Sequence, residues 1–199
     1  MSPQVEAFIN NSLRGAVEID RGLYGLKFSR LPSKYSHHHD HDQLTQKVAY
    51  QGSGVRLEFI TAATRITLTY RSTRDATLDR AFVGAPSVIT LTCEGYSQSI
   101  AHDNGDLRIW DGSSLAEVAQ GADSIATFDI PPSTATEPTT ERLVKIWLPH
   151  NCNIEIVDAS ANAPLNPAPA MQPRWVHYGS SISHCLEAED PTGVWPVVA

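Results

Sequence analysis

The sequence feature that most constrains the fold is a strict alternation of apolar and polar residues over short runs. In the clearest run, Val55, Leu57 and Phe59 face one way while Arg56 and Glu58 face the other. Successive side chains of a β-strand point to opposite faces, so this period of two predicts a half-buried strand. The same period recurs in the runs 65–70, 88–94, 143–148 and 153–157. We therefore expect a chain that folds mainly as β-sheet.

Further runs complete the predicted set of strands. The runs 15–20 and 23–28, joined by Arg21-Gly22, are predicted to form a first pair of strands. Weaker candidates lie at 97–101, 107–110 and 124–130. The connection 149–152 between the last two strong runs has hairpin length, and only 114–120 has the pattern of a short helical turn. Many short strands separated by Gly, Pro, Asn and Asp indicate an antiparallel, jelly-roll-like β-sandwich. An immunoglobulin-type sandwich is disfavoured because its Cys-Trp-Cys spacing is missing.

A proline-rich segment, 159–173, follows the last of these strands. It holds four prolines among small residues. So little apolar bulk is not enough to pack a core, and we expect a semi-extended linker. The segment sets the predicted division of the chain, which is a β-sandwich domain at 1–158, the linker at 159–173 and the start of a second domain at 174–199.

The second domain opens with a short strand and a turn. The β-branched and aromatic residues of 174–178 favour a strand, and Gly179 allows a sharp reversal after it. The turn would present Ser181 at the carboxyl end of the strand, where open α/β sheets place their ligands. A lone strand leaves backbone groups unpaired. We therefore expect 174–178 to add to an edge of the sandwich, to pair with a second copy in a homo-oligomer, or to belong to a larger molecule.

The residues Tyr178-Gly179-Ser180-Ser181-Ile182-Ser183-His184 resemble the first block of the SGNH hydrolases, also called GDSL-type esterases and lipases. The resemblance implies an α/β, flavodoxin-like hydrolase domain in which Ser181 is the nucleophile, and Gly179 and the Ser181 N–H shape the oxyanion site. Residues 191–199 resemble the loop and first-helix start that follow this block. The β-rich part, including 146–151, resembles the N-terminal domain of one branch of the family. Two departures are Ser180 in place of the usual Asp and Cys185 in place of a common glycine.

For the complete protein, the resemblance implies hydrolysis of acetylated carbohydrates or other small acyl esters without a metal or organic cofactor. The family takes its base and further oxyanion donors from a Gly block, an Asn block and an Asp-x-x-His block. None of these can be matched in the 199 residues, so we expect the chain alone to be inactive. Three histidines leave a local base open, namely His177 before the serine, His184 three residues after it, and His150 in the last turn of the sandwich. His184 would share a face with Ser181 only if the turn became helical.

A non-catalytic module that binds carbohydrate or a protein partner is the alternative function. Trp110, Trp147 and Tyr96 would then form an aromatic platform on one face of the sandwich. The alternative placement of these rings is in the core. Exposed aromatic residues on one sheet face would favour the binding module, whereas Ser181 at a cleft against the sandwich would favour the enzyme.

A histidine-rich tract at 37–42 is the weak candidate for a metal site, with His37, His39 and His41 as ligands. Adjacent side chains of one strand point to opposite faces, so neighbouring residues do not easily converge on a tetrahedral centre. We therefore expect a solvated loop and no metal site.

Charge and composition exclude several kinds of partner. The net charge of −7 and the scattered Lys and Arg residues disfavour nucleic acid, which is bound through basic patches. No apolar run reaches the length of a membrane span, and no basic region precedes an apolar core as in a signal peptide. Cys93, Cys152 and Cys185 are widely spaced, which is typical of reduced thiols, and we expect a cytoplasmic protein.

Overall fold

The computed structural model describes residues 1–34, 47–132, 140–169 and 184–198. The helices that lie wholly within these ranges are α1 (Pro3–Ser12) and α2 (Trp195–Val198), and residues 47–49 are also helical. The strands are β1 (Leu13–Arg14), β2 (Glu18–Arg21), β3 (Leu26–Ser29), β4 (Arg56–Thr61), β5 (Arg65–Thr77), β6 (Ser87–Cys93), β7 (Tyr96–His102), β8 (Asp106–Asp111), β9 (Ser114–Ala119), β10 (Ser124–Asp129), β11 (Arg142–Trp147), β12 (Asn153–Ala161) and β13 (Asn166–Pro167). No helix in these ranges is long and apolar enough to cross a membrane.

The strands form two sheets, which confirms the predicted mainly β, two-layer fold. One sheet has the order β1-β4-β11-β6-β7, with β13 also paired to β4. The other has the order β2-β3-β12-β5-β8-β9, with β10 also paired to β5. The predicted pairing of the first two strands is confirmed, because β2 and β3 are antiparallel neighbours.

The hydrophobic core lies between the sheets and consists of the inward residues of the alternating runs. Leu57 and Phe59 of β4 are fully buried. Ile66, Leu68 and Tyr70 of β5, which the alternation also places inward, are at most 1% exposed. Burying a large apolar side chain contributes about 1.5–3 kcal/mol, so this alternation is the main source of stability.

Strand β5 organises the seven-stranded sheet because its 13 residues pair with three neighbours. Its first half is antiparallel to β10, and its second half is parallel to β8. The sandwich is therefore not wholly antiparallel. Asp75 of β5 fixes the parallel pair through Arg108 Nε at 3.1 Å and Trp110 Nε1 at 2.7 Å. It also forms an ion pair with Lys47 Nζ at 2.7 Å.

The connection 149–152 is not a hairpin, although its length suggests one. Strand β11 pairs with β4 and β6 in one sheet, whereas β12 pairs with β3 and β5 in the other. The connection therefore crosses the core between the two layers. Leu148 and Cys152 at its ends are both fully buried, which an exposed hairpin loop would not allow.

Two further local predictions are wrong. Residues 114–119 form the edge strand β9 instead of a helical turn, since they pair with β8. The periodicity also predicts no helix before residue 15, yet α1 begins at Pro3. Its start is capped by Ser2, whose side chain accepts a bond from the Val5 N–H, and Pro at the first helical position is favourable.

The first part of the proline-rich segment packs on the sandwich. Strand β12 continues to Ala161, and β13 pairs with β4. Thr61 Oγ1 donates to the Pro164 carbonyl at 2.7 Å, and Arg14 Nη2 donates to the Ala168 carbonyl at 2.8 Å. The segment is thus held by hydrogen bonds to its backbone carbonyls and by the packing of Ala161, Ala163 and Leu165 against the core. The division into domains at 158 and 173 stays a prediction, and so does the pairing of strand 174–178, which lies outside the described residues.

Candidate functional site

The segment 184–198 lies directly on the sandwich. The Ser53 hydroxyl, just before β4, donates to the His184 carbonyl at 3.2 Å. Farther along, the Ser99 hydroxyl of β7 lies 3.4 Å from Asp190 Oδ2. Val194 is fully buried. The residues that follow the Gly179–Ser181 turn in the sequence are therefore attached to the sandwich at several points.

The imidazole of His184 is buried and has a partner at each nitrogen. Nδ1 lies 3.1 Å from Arg30 Nη2, and Nε2 lies 2.7 Å from the His150 carbonyl oxygen. A guanidinium can only donate and a carbonyl can only accept. His184 is therefore the neutral tautomer that carries its proton on Nε2. Burial and then the charge of Arg30 lower the pKa of His184 to about 4.

Arg30 is held in place by the chain segment 47–54. Its backbone N–H donates to the Ala49 carbonyl at 2.9 Å. Its Nε donates to the Gln51 carbonyl and its Nη2 to the Val48 carbonyl, each at 2.8 Å. Burial lowers the pKa of Arg30, but these charge-assisted bonds compensate for part of the desolvation of the guanidinium.

His150 lies beside His184 in the connection between β11 and β12, and only 1% of it is exposed. Neither nitrogen of its ring forms a hydrogen bond of regular length and angle with a described residue, although the backbone of Leu186 and Ala188 lies close to the ring. Burial lowers the pKa of His150, while the backbone of Leu186 and Ala188 and the carboxylate of Asp190 partly offset this effect. The carbonyl of His150 accepts the hydrogen bond from His184, and the ring of His150 is covered by the segment 184–198.

Two local features of this segment bear on the resemblance drawn from the sequence. Cys185, which takes the place of a common glycine, has a φ of +53°, in the left-handed region that favours glycine. A helix, α2, begins at Trp195, within the residues where the resemblance expects a helix start. Asp190 shapes the turn before it by accepting from the Thr192 N–H at 2.8 Å.

The sequence-predicted site residues fare differently. Ser181, Gly179, His177 and the histidines of the tract 37–42 lie outside the described residues. His150 and His184 are brought together, but as buried groups. Neither is an available base in the described structure, because both ring nitrogens of His184 are occupied and the His150 ring is enclosed.

The aromatic platform predicted for the binding alternative does not form. Trp110 belongs to the seven-stranded sheet and donates to Asp75. Trp147 is 8% exposed and donates to Thr92 Oγ1 at 3.1 Å. Tyr96 stands opposite the buried Cys93 and packs against the core, so it lies on the face opposite to Trp147. Three rings on different surfaces cannot bind one sugar chain.

Arg30 and Ser53 are the site residues that sequence reasoning missed. Arg30 follows a predicted strand, and Ser53 lies in a glycine-flanked turn, so neither has a motif around it. Their roles arise only when the fold brings residues 30, 53, 150 and 184 together. Within the described part of the chain, no group of three or more His, Cys, Asp or Glu residues could hold a metal ion.

The chain is similar to known proteins in three-dimensional structure, but the sequence comparisons find no match. No protein-family model matches the chain, and no curated protein matches it. Among solved structures, the salicylyl-acyltransferase SsfX3 from a tetracycline biosynthetic pathway is similar, with a TM-score of 0.70 and 20% identity. The crystal structure of a protein from Bacteroides ovatus that is described as a GDSL-like lipase is also similar, with a TM-score of 0.55 and 14% identity.

The overlap with these two structures covers 94% of this chain but 47% and 49% of theirs. The chain thus spans about half the length of either protein. At these identities the likeness is one of fold. The class that the fold defines is therefore a two-sheet β-sandwich with a docked carboxyl-terminal segment, of a kind found within larger proteins.

Proposed function

We propose that the chain is the N-terminal portion of a serine acyl-transfer enzyme of the SGNH or GDSL type. The observation that carries the proposal is the position of the Gly179-Ser180-Ser181 motif. It follows a sandwich whose fold is shared with an acyltransferase and a GDSL-like lipase. An isolated Gly-Ser-Ser is a weak motif, and the shared fold around it supports the enzyme over a chance turn.

In the proposed reaction, the Ser181 hydroxyl attacks the carbonyl carbon of an ester after giving its proton to a base. The Ser181 N–H stabilises the oxyanion of the tetrahedral intermediate. The C–O bond to the alcohol then breaks, the alcohol takes the proton, and the acyl group stays on Ser181. Water or an acceptor hydroxyl then gives a proton to the base and attacks the acyl carbon, and the bond to the Ser181 oxygen breaks as that oxygen takes the proton back.

The base in this proposal is a residue other than His150 or His184. A general base must reach the hydroxyl proton with a free lone pair. The Nδ1 lone pair of His184 faces Arg30, and its Nε2 proton faces a carbonyl. This supports a base from a separate part of the molecule, as in the Asp-x-x-His block of the family, and it supports inactivity of the 199-residue chain alone.

The proposed substrates are small acyl esters, including acetylated carbohydrates. Whether water or a second hydroxyl accepts the acyl group decides between hydrolase and transferase, and the names of the two similar structures include one of each kind. No disulfide joins the three cysteines, which supports a reducing compartment such as the cytoplasm for this enzyme.

The proposal is tested by aryl-acetate turnover in the native gene product and its Ser181→Ala variant. We expect Ser181→Ala to lose about 10³-fold or more in kcat, since removing a nucleophile leaves only residual catalysis. Ser180→Ala is the matched control and should keep most of the activity. Equal rates for wild type and Ser181→Ala would remove Ser181 from the mechanism. The 199-residue chain should show no turnover, and full activity in it would contradict the separate base.

A further inference from the structure

Arg30 connects three parts of the molecule that are distant in sequence. It stands at the end of β3, binds the carbonyls of Val48 and Gln51, and reaches His184. The Nε2–H of His184 donates to the carbonyl of His150. The carbonyl of His184 accepts a hydrogen bond from the Ser53 hydroxyl. The sandwich therefore contacts both the side chain and the backbone of His184.

We propose that Arg30 is a positioning residue of the acyl-transfer site, which acts by selecting the Nε2–H tautomer of His184 and so fixing the chain next to Ser181. The inference rests on the proposed function for its catalytic meaning. Its structural part concerns only Arg30, His184, His150 and Ser53, all of which are described.

The tautomer follows from the two partners. The Arg30 guanidinium requires a lone pair at Nδ1, and this requirement leaves the proton for Nε2. The Nε2–H then matches the His150 carbonyl. In the other tautomer, an N–H would face the guanidinium and a lone pair would face the carbonyl, so both hydrogen bonds would be lost together.

The fixed geometry of Arg30 makes it suited to this role. Its Nε and Nη2 bonds to the carbonyls of Gln51 and Val48 hold the guanidinium plane before it meets His184. A planar guanidinium held at two atoms loses little further freedom when it makes a third contact. Arg30 is thus preorganised, and His184 adapts to it.

The consequence for Ser181 comes from chain connectivity. Only Ile182 and Ser183 separate His184 from Ser181, so an anchor at His184 restricts where the serine can lie. Acyl transfer depends on close alignment of the nucleophile with the carbonyl, and a misplacement of about 1 Å can cost roughly 100-fold in rate. Loss of the anchor should therefore lower kcat more than it raises KM.

The structural test uses the 199-residue chain. Long-range ¹H–¹⁵N spectra of His184 in wild type should show a proton on Nε2 and none on Nδ1 near neutral pH. A protonated Nδ1 in wild type would overturn the inference without any variant. In Arg30→Met we expect a mixture of tautomers and at least tenfold faster amide exchange across 184–198, while wild-type tautomer and exchange in Arg30→Met would also overturn it.

Arg14→Met is the matched control. Arg14 also donates to backbone carbonyls, those of Asn11, Leu13 and Ala168, but these carbonyls lie outside 184–198. We expect it to leave the His184 spectrum and the exchange of 184–198 unchanged. An equal effect in Arg14→Met would mean general loosening of the sandwich and would overturn a specific role for Arg30.

The catalytic test uses the native gene product. We expect Arg30→Met to lower kcat for an aryl acetate by roughly 10- to 100-fold with KM little changed, and Arg30→Lys to restore part of the rate. If Ser181→Ala stays fully active, the proposed function fails, while the spectra still decide the anchor. If Ser181→Ala is inactive and Arg30→Met keeps the wild-type kcat, the positioning role alone fails.

Discussion

The Nε2 atom of His184 lies 2.7 Å from the backbone carbonyl oxygen of His150. The main chain of His150 thus binds the side chain of His184, which lies 34 residues later in the sequence. The hydrogen bond from Arg30 to Nδ1 on the other side of the ring exists only while Nδ1 is unprotonated, because a proton there would place an N–H and a positive charge against the guanidinium. The attachment of 184–198 to the sandwich is therefore coupled to one proton.

This coupling predicts a loss of stability in mild acid. The pKa of His184 is about 4 in the folded protein against an ordinary value of 6.5. Below about pH 6.5 the unfolded chain takes up a proton that the folded chain refuses, so the free energy of unfolding falls as pH decreases toward 4. One group with this shift contributes on the order of 3 kcal/mol, fully present above pH 6.5. Urea unfolding at about pH 7 and pH 4.5 measures it.

Other titratable groups near His184 and His150 could also change the free energy of unfolding in this pH range. Arg30 keeps its charge throughout, and the lowered pKa of His150 acts in the same direction as that of His184. Asp190, which faces His150, has a pKa below 3.8 because hydrogen bonds from Thr192 and Gly193 outweigh its desolvation, so it titrates below the window. His184→Gln should flatten the pH dependence, and an unchanged slope would contradict the assignment to His184.

Cys185 predicts an unusual order of stability. Its φ of +53° costs a residue with a Cβ about 1–2 kcal/mol. Cys185→Gly removes that strain and Cys185→Ala keeps it, while both remove the thiol. We expect the Gly variant to be more stable than the Ala variant by about 1 kcal/mol in urea unfolding, opposite to the usual effect of glycine. An Ala variant as stable as the Gly variant would show that the backbone is unstrained there.

Asp75 predicts a large loss on truncation. Burial alone would raise its pKa, but hydrogen bonds from Lys47 and Trp110 and the charge of Arg108 hold the pKa below the ordinary value. Asp75→Ala leaves two largely buried cations without this carboxylate, and we expect a loss of about 3 kcal/mol in the free energy of unfolding. Asp129→Ala is the control, since the Asp129–Arg65 pair is about two-thirds exposed and its loss should destabilise the protein much less than Asp75→Ala does. Equal losses would contradict a structural role for the Asp75 network.

The sequence predicted the strands well because alternation reports directly on burial. Val55, Leu57 and Phe59 are all fully buried, as their spacing requires. Alternation does not report which sheet a strand joins. Strands β11 and β12 each have the pattern of a half-buried strand, and their short connection suggests a hairpin, yet they lie in opposite layers.

The other failures have local physical causes. Strand β9 is at a sheet edge and is exposed on both faces, so it carries no alternation, and its Leu, Ala and Glu residues imitate a helix. Helix α1 shows only its Ser2-Pro3 start in the sequence. The anchor of His184 could not be predicted, because Arg30, Ser53 and His150 meet it only through long-range packing. Ser181 itself remains a prediction from the family resemblance.

The most direct test of the central claim is to map the residue of the native gene product that reacts with a fluorophosphonate probe. Such a probe forms a covalent bond with an activated serine oxygen and so reports a nucleophile independently of the substrate. We predict a single adduct on the peptide that contains Ser181, absent in Ser181→Ala and retained in Ser180→Ala. An unlabelled protein, or an adduct that persists in Ser181→Ala, would contradict the account.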